Sequence, residues 1–77
     1  MNKEQLRLEL EKSGVRPYSY SLDGASDEAY CLDGNANSWS VYYYERGVES
    51  GKKTFANESD ACEYLLSLLK KDPTAQS

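Results

Sequence analysis

The segment of residues 38–45 constrains the fold of this chain more than any other. It reads Ser-Trp-Ser-Val-Tyr-Tyr-Tyr-Glu, and its aromatic and β-branched side chains favour a strand. Side chains alternate between the two faces of a strand, so Trp39 and Val41 share one face while Tyr42 and Tyr44 share the other. We predict that the Trp39 face packs against a helix and that Tyr42 and Tyr44 lie on the opposite face.

An internal repeat precedes this strand. Tyr20-Ser21-Leu22-Asp23-Gly24 recurs ten residues later as Tyr30-Cys31-Leu32-Asp33-Gly34. Because Asp-Gly is a turn signal, each copy predicts a strand that ends in a turn. Residues 34–37 are predicted to form a loop. After residue 45, a turn is predicted from Arg46-Gly47 to Gly51, followed by a short fourth strand over residues 52–56.

A helix is predicted at the N-terminal end, from Asn2 to Ser13. Asn2 is a good capping residue, and Gln5 stands at the position that completes a capping box. Gly14 is placed to end the helix. The apolar stripe of this helix is thin, so we expect it at the edge of the domain.

A second helix is predicted from Glu58 to about Lys71, with Asn57 as its cap and Asp60 reaching back to it. Its apolar face consists of Ala61, Leu65, Leu68 and Leu69, flanked by Cys62 and Leu66. Asp72-Pro73 ends it, and residues 73–77 are expected to fray.

The predicted fold is therefore a single α+β domain over residues 1–77. The N-terminal helix covers residues 1–14, a sheet of three to four strands covers residues 18–56, and the C-terminal helix covers residues 58–72. Short connections between strands favour an antiparallel meander. The C-terminal helix is the only element apolar enough to cover a sheet face, which predicts two layers.

The composition excludes several chemistries. The chain has no histidine, so Ser-His-Asp catalysis, Cys-His catalysis and histidine metal sites are excluded. Two cysteines cannot form a Cys₄ zinc site, and no apolar run approaches the roughly 20 residues that span a bilayer. We expect no enzyme activity, no cofactor and no metal.

No secretory signal is recognisable, which predicts a cytoplasmic protein with Cys31 and Cys62 reduced. A redox pair and metal ligands are alternatives, but small apolar core residues are favoured.

The negative charge of the chain is concentrated in its middle third. Residues 17–51 contain six acids against one cation, a net charge of −5, whereas the whole chain carries −4. Such a segment repels phosphate backbones and attracts a basic protein surface. An ordinary set of solvated loop acids is the alternative.

The candidate partner-binding residues come from this segment. They are the acids Asp23, Asp27, Glu28, Asp33, Glu45 and Glu49, the tyrosines Tyr42 and Tyr44, and the single cation Arg46. Exposed tyrosines are good interface anchors, but the N-terminal helix is an alternative cover for them. For Arg46 the alternative is a local salt bridge. A pair of catalytic carboxylates is disfavoured because these acids lie at turns.

A resemblance to a known group of proteins covers most of residues 14–74. It is carried by Gly14-Val15-Arg16-Pro17, Tyr18 to Gly24, Glu28-Ala29-Tyr30, Trp39-Ser40-Val41-Tyr42-Tyr43, Glu45-Arg46-Gly47, Phe55, Asp60-Ala61-Cys62 and the leucine helix into Asp72-Pro73. This order is similar to small bacterial immunity proteins of contact-dependent inhibition and related polymorphic toxin systems. Tyr44 stands where a small polar residue is expected, which suggests a partner-specific contact.

The resemblance implies a small cytoplasmic protein without catalysis that binds a cognate toxin C-terminal domain, often a nuclease. It implies stoichiometric occlusion, and it implies no contact with nucleic acid or membrane. A monomer or a weak homodimer is expected, since open sheet edges and apolar patches favour pairing. The main alternative is a non-catalytic adaptor or accessory subunit of another bacterial complex; a nucleic-acid-binding protein and an enzyme are less well supported.

Overall fold

Two helices lie on one side of a four-stranded sheet in the computed structural model, which describes residues 1–35 and 38–72. The elements are helix α1 (Lys3–Lys12), a 3₁₀ turn (Pro17–Ser19), strands β1 (Tyr20–Ser21), β2 (Ala29–Asn35), β3 (Ser38–Glu45) and β4 (Val48–Phe55), and helix α2 (Glu58–Lys71). The strands are ordered β1-β2-β3-β4, with β2, β3 and β4 antiparallel. The predicted α+β architecture is confirmed. Neither described helix is long and apolar enough to cross a membrane.

The prediction of an all-antiparallel sheet is wrong for β1, which pairs parallel with β2. The register is Tyr20 with Tyr30 and Ser21 with Cys31, so the two copies of the internal repeat lie side by side in the same direction. The chain between them has positive φ at Gly24 (φ 101°) and at Glu28 (φ 56°), a conformation typical of turns. A parallel pair normally needs a long crossover, but β1 is too short to require one.

The second Asp-Gly of the repeat, Asp33-Gly34, was predicted to form a turn, and this prediction is wrong. Strand β2 continues through it, with Asp33 opposite Ser40 and Gly34 opposite Trp39. Gly34 is needed there because a Cβ at this position would overlap the indole ring of Trp39. The glycine therefore permits a close approach between strands rather than a turn. Residues 36–37 of the predicted loop lie outside the described residues.

The turn after β3 is shorter than predicted, and β4 is longer. Only Arg46 (φ 51°) and Gly47 (φ 82°) form the turn, and positive φ at both residues matches the strand twist of a two-residue hairpin. Strand β4 therefore begins at Val48 and not at residue 52. A bulge places two residues, Gly51 and Lys52, opposite the single residue Tyr42.

Both helices begin as their sequences predict. The Gln5 backbone N–H donates to Asn2 Oδ1 at 2.9 Å and the Asn2 N–H donates to Gln5 Oε1 at 3.0 Å, which completes the capping box of α1. In α2 the Asp60 N–H donates to Asn57 Oδ1 at 2.8 Å. The side-chain amide of Asn57 donates through Nδ2 to Asp60 Oδ2 at 3.2 Å, as predicted. The predicted fraying of residues 73–77 lies outside the described residues.

The main core lies between the helices and one sheet face. Its buried members are Leu6, Leu10, Val15, Leu22, Leu32, Val41, Ala61, Cys62, Leu65 and Leu69. Full burial of a leucine side chain contributes about 1.5–3 kcal/mol. Helix α1 supplies two fully buried leucines, Leu6 and Leu10, to this core. A backbone N–H of Lys3 also donates to Glu58 Oε2 of α2, at 2.9 Å.

Candidate partner-binding surface

The second face of the sheet has no helix over it among the described residues. We call it the helix-free face. By strand register it carries Ala29, Cys31 and Asp33 from β2, Ser40, Tyr42 and Tyr44 from β3, and Glu49, Lys52 and Thr54 from β4. The predicted grouping of Tyr42 and Tyr44 with Ala29 and Cys31 is confirmed, because these four residues form a second, smaller cluster.

Tyr42 is not the exposed anchor that the sequence predicted. Its side chain is only 2% exposed. Helix α1 is not the cover, since its leucines belong to the other core. Instead Tyr44 meets the Tyr42 ring edge-on at 6.4 Å between centroids, and Lys52 Nζ lies 5.6 Å from the ring centroid. Burial raises the pKa of Tyr42 to about 12, and negative charges, including those of Asp33 and Glu49, add to this effect.

Tyr44 and Asp33 remain accessible on the helix-free face. Tyr44 is half-buried, and Asp33 is exposed. Glu49 is also exposed, but Lys52 Nζ lies 3.3 Å from its Oε1 in an ion pair. Such an exposed pair contributes at most about 1 kcal/mol and leaves both groups available to a partner. Sequence reasoning overlooked Lys52, because its position over Tyr42 depends on the bulge.

Cys31 behaves as a buried apolar residue. The Ser26 N–H donates to its Sγ at 3.4 Å, and the Sγ lies 3.4 Å from the Ala29 carbonyl oxygen, to which the thiol donates. Burial raises the pKa of the Cys31 thiol, and burial also raises that of Cys62, so neither forms a thiolate readily. Both cysteines are free, and they belong to clusters on opposite sides of the sheet.

A second candidate region lies at the end of the sheet near the β3–β4 turn. It is a cleft of about 290 Å³ that we call the tyrosine cleft. Its lining residues are Tyr18, Ser19, Glu28, Tyr30, Tyr43, Glu45 and Asp72. The rings of Tyr30 and Tyr43 meet edge-on at 5.0 Å, and the Tyr30 hydroxyl donates to Asp72 Oδ2 at 3.0 Å. Tyr18, on the 3₁₀ turn, is 72% exposed.

The electrostatics of the tyrosine cleft are negative. Burial raises the pKa of Tyr43, and the carboxylates of Glu45, Glu28, Asp72 and Asp27 raise it further, in that order. Glu28 and Glu45 were predicted site residues, and the structure brings them together. Tyr18, Tyr30, Tyr43 and Asp72 were not predicted as site residues. Only the cross-strand pairing of Tyr30 with Tyr43 could have suggested them, and it depends on the register.

Asp27 and Arg46 have local structural contacts. The Arg46 backbone N–H donates to Asp27 Oδ1 at 2.7 Å, so Asp27 holds the β3–β4 turn against the loop before β2. The alternative of a salt bridge from the Arg46 side chain is not realised within residues 1–35 and 38–72. The Arg46 side chain is exposed at the turn.

The predicted residues therefore do not form one continuous surface. Asp23 pairs with Lys3 at 3.4 Å and lies near Asp33 and Gly34, away from the turn. Four other acids gather at the β3–β4 turn, which joins the tyrosine cleft to the helix-free face. We call this group the acidic end; it comprises Asp27, Glu28, Glu45 and Glu49.

The described part of the chain contains no group of three His, Cys, Asp or Glu side chains placed to hold a metal ion. Comparisons with protein-family models, with curated proteins and with solved structures found no match to this chain.

Proposed function

We propose that this protein is a cytoplasmic immunity protein that binds a cognate bacterial toxin domain, a basic nuclease, and neutralises it by stoichiometric occlusion without catalysis. The observation that supports this proposal is the acidic end, where carboxylates and tyrosines share one accessible edge of the sheet. A basic active site offers the complementary surface. Charge complementarity accelerates such an encounter and excludes wrong partners.

The acidic end and the tyrosines beside it contribute to binding in different ways. The acidic end attracts the positive partner, and Tyr18 and Tyr44 offer amphipathic rings that bury area at low entropy cost. Tyr42, being buried, supports the position of Tyr44 and does not itself anchor the partner. A rigid sheet with both helices behind it needs little rearrangement on binding, which favours tight association.

The test is a protection assay in bacteria. The C-terminal domain of the large protein encoded next to this one is expressed with and without the protein, and surviving cells are counted. We expect rescue together with co-purification of a one-to-one complex. A matched pair of variants locates the surface: Glu45→Gln with Glu49→Gln at the acidic end, and Glu4→Gln with Glu11→Gln on α1, which removes the same charge elsewhere.

Rescue should weaken only in the acidic-end variant. Growth arrest that the protein does not relieve, with no complex recovered, would overturn the immunity proposal. Recovery of a stable complex with a different bacterial protein would instead support the adaptor alternative.

A further inference from the structure

We propose that the tyrosine cleft is a receptor site for one arginine side chain of the protein partner. The inference rests on the proposed function for the identity of that partner, but the site itself is argued from the cleft. The cleft combines a concave shape of about 290 Å³ with aromatic walls and carboxylates, and no lysine or arginine among residues 1–35 and 38–72 lines it.

The walls of the cleft suit a flat cation. Tyr30 and Tyr43 stand edge-to-face at 5.0 Å, with Tyr18 exposed at the rim. Cations are attracted to the faces of aromatic rings, and arginine makes such contacts more often than lysine. The planar guanidinium group can stack on a ring and donate to a carboxylate at the same time.

Two carboxylates of the cleft, those of Glu28 and Glu45, carry charge that no described lysine or arginine neutralises. Asp72 accepts a hydrogen bond from the Tyr30 hydroxyl at 3.0 Å, which fixes that ring in the cleft wall. An anion would be repelled by the carboxylates of Glu28 and Glu45, so the ligand chemistry is cationic.

The position of the cleft indicates a side chain on a protein surface as its occupant. The cleft opens beside Tyr18 and continues into the acidic end, so a partner that contacts both would project a residue into it. An arginine that fills a concave aromatic site within a larger contact is a typical hot spot of protein interfaces.

The experiment titrates the protein with N-acetyl-arginine amide and follows the tyrosine ring signals by NMR. N-acetyl-citrulline amide is the matched control, because it has the same shape without the charge, and N-acetyl-lysine amide tests the role of the planar group. We expect shifts at Tyr18, Tyr30 and Tyr43 with the arginine probe, and weaker binding of the other two.

Two double variants with equal loss of charge test the location. Glu28→Gln with Glu45→Gln should weaken binding of the arginine probe about three- to tenfold. Glu4→Gln with Glu9→Gln, on helix α1 and away from the lining of the cleft, should leave it unchanged. Equal responses to arginine and citrulline, equal binding of the lysine probe, or equal losses in the two variants would overturn the assignment.

The outcomes separate this inference from the proposed function. Protection by the protein without arginine-specific binding would leave immunity standing and remove the cleft assignment. Arginine-specific binding without protection would retain the site and assign it to a partner other than a toxin.

Discussion

At the residue scale, Gly34 is needed because the Trp39 ring lies where a side chain would be. The Gly34→Ala substitution should therefore lower the free energy of unfolding by about 1–3 kcal/mol, since the indole must move out of a packed position. Denaturant unfolding followed by fluorescence of Trp39, the only tryptophan, measures this. Asp33→Ala on the exposed neighbour serves as control and should change stability by less than about 0.5 kcal/mol. Equal effects at the two positions would show that the ring does not restrict position 34.

Tyr42 makes stability depend on alkaline pH. Its pKa in the folded protein is raised from 10.0 to about 12, so the unfolded chain loses this proton first as pH rises. The contribution of protonated Tyr42 to the free energy of unfolding is fully present below pH 10. It falls by about 2–3 kcal/mol as pH rises from 10 to 12. Unfolding measured across this range should show a smaller decline in Tyr42→Phe than in the unchanged protein. Identical declines would mean that Tyr42 ionises as freely in the folded protein as in the unfolded one.

At the element scale, the β3–β4 turn contains a residue poorly suited to its backbone. Arg46 has φ 51°, a conformation that asparagine and glycine adopt more readily than arginine. Arg46→Asn creates an Asn-Gly turn and should raise the free energy of unfolding by about 0.5–1 kcal/mol. The comparison variant is Arg46→Ala, which removes the same charge without suiting the turn. If alanine stabilised as much as asparagine, charge removal and not backbone conformation would be the cause.

The sequence predicted elements and faces well because both follow local periodicity. The capping box at Asn2 and the alternation around Val41 each need only neighbouring residues, and both are confirmed. The parallel β1 was missed because its direction depends on the connection to β2, where Glu28 has positive φ and is not a usual turn residue. The sequence left open whether Tyr42 is exposed or covered by the N-terminal helix, because the contacts of its ring with Tyr44 and Lys52 depend on tertiary structure.

The candidate site was only partly predictable from the sequence, because tertiary structure and not local periodicity brings its residues together. The acids were found from charge alone, and two of them, Glu28 and Glu45, line the tyrosine cleft. The cleft itself joins residues from the 3₁₀ turn, the loop before β2, strands β2 and β3, and the end of α2. Only the tertiary arrangement places Tyr18 and Asp72 together, so a reading of local pattern could not have assembled it.

At the scale of the whole molecule, the placement of charge predicts the kinetics of binding. The chain carries −4, and four of its acids form the acidic end. With a basic partner, the association rate constant should fall as ionic strength rises. The triple variant Glu28→Gln, Glu45→Gln, Glu49→Gln should lower it about three- to tenfold at low salt and flatten its salt dependence.

Stopped-flow association with the purified domain of the proposed toxin partner measures this effect. The control is a triple glutamine variant of Glu4, Glu9 and Glu11, which removes equal charge from α1. Equal slowing by both variants would indicate that net charge alone, and not its placement, governs the encounter. Asp27 is left unchanged because its carboxylate holds the β3–β4 turn.

Helices α1 and α2 share one core, yet the whole sheet lies between them in the chain. On the ribosome, β2, β3 and β4 can pair as soon as they emerge because their contacts are local. The buried leucines of α1 have no complete core until α2 has also emerged. A nascent chain therefore cannot complete its fold until helix α2 has been translated. Under the proposed immunity function, protection of a cell against a sudden toxin challenge would depend on molecules that are already folded and not on those still being made.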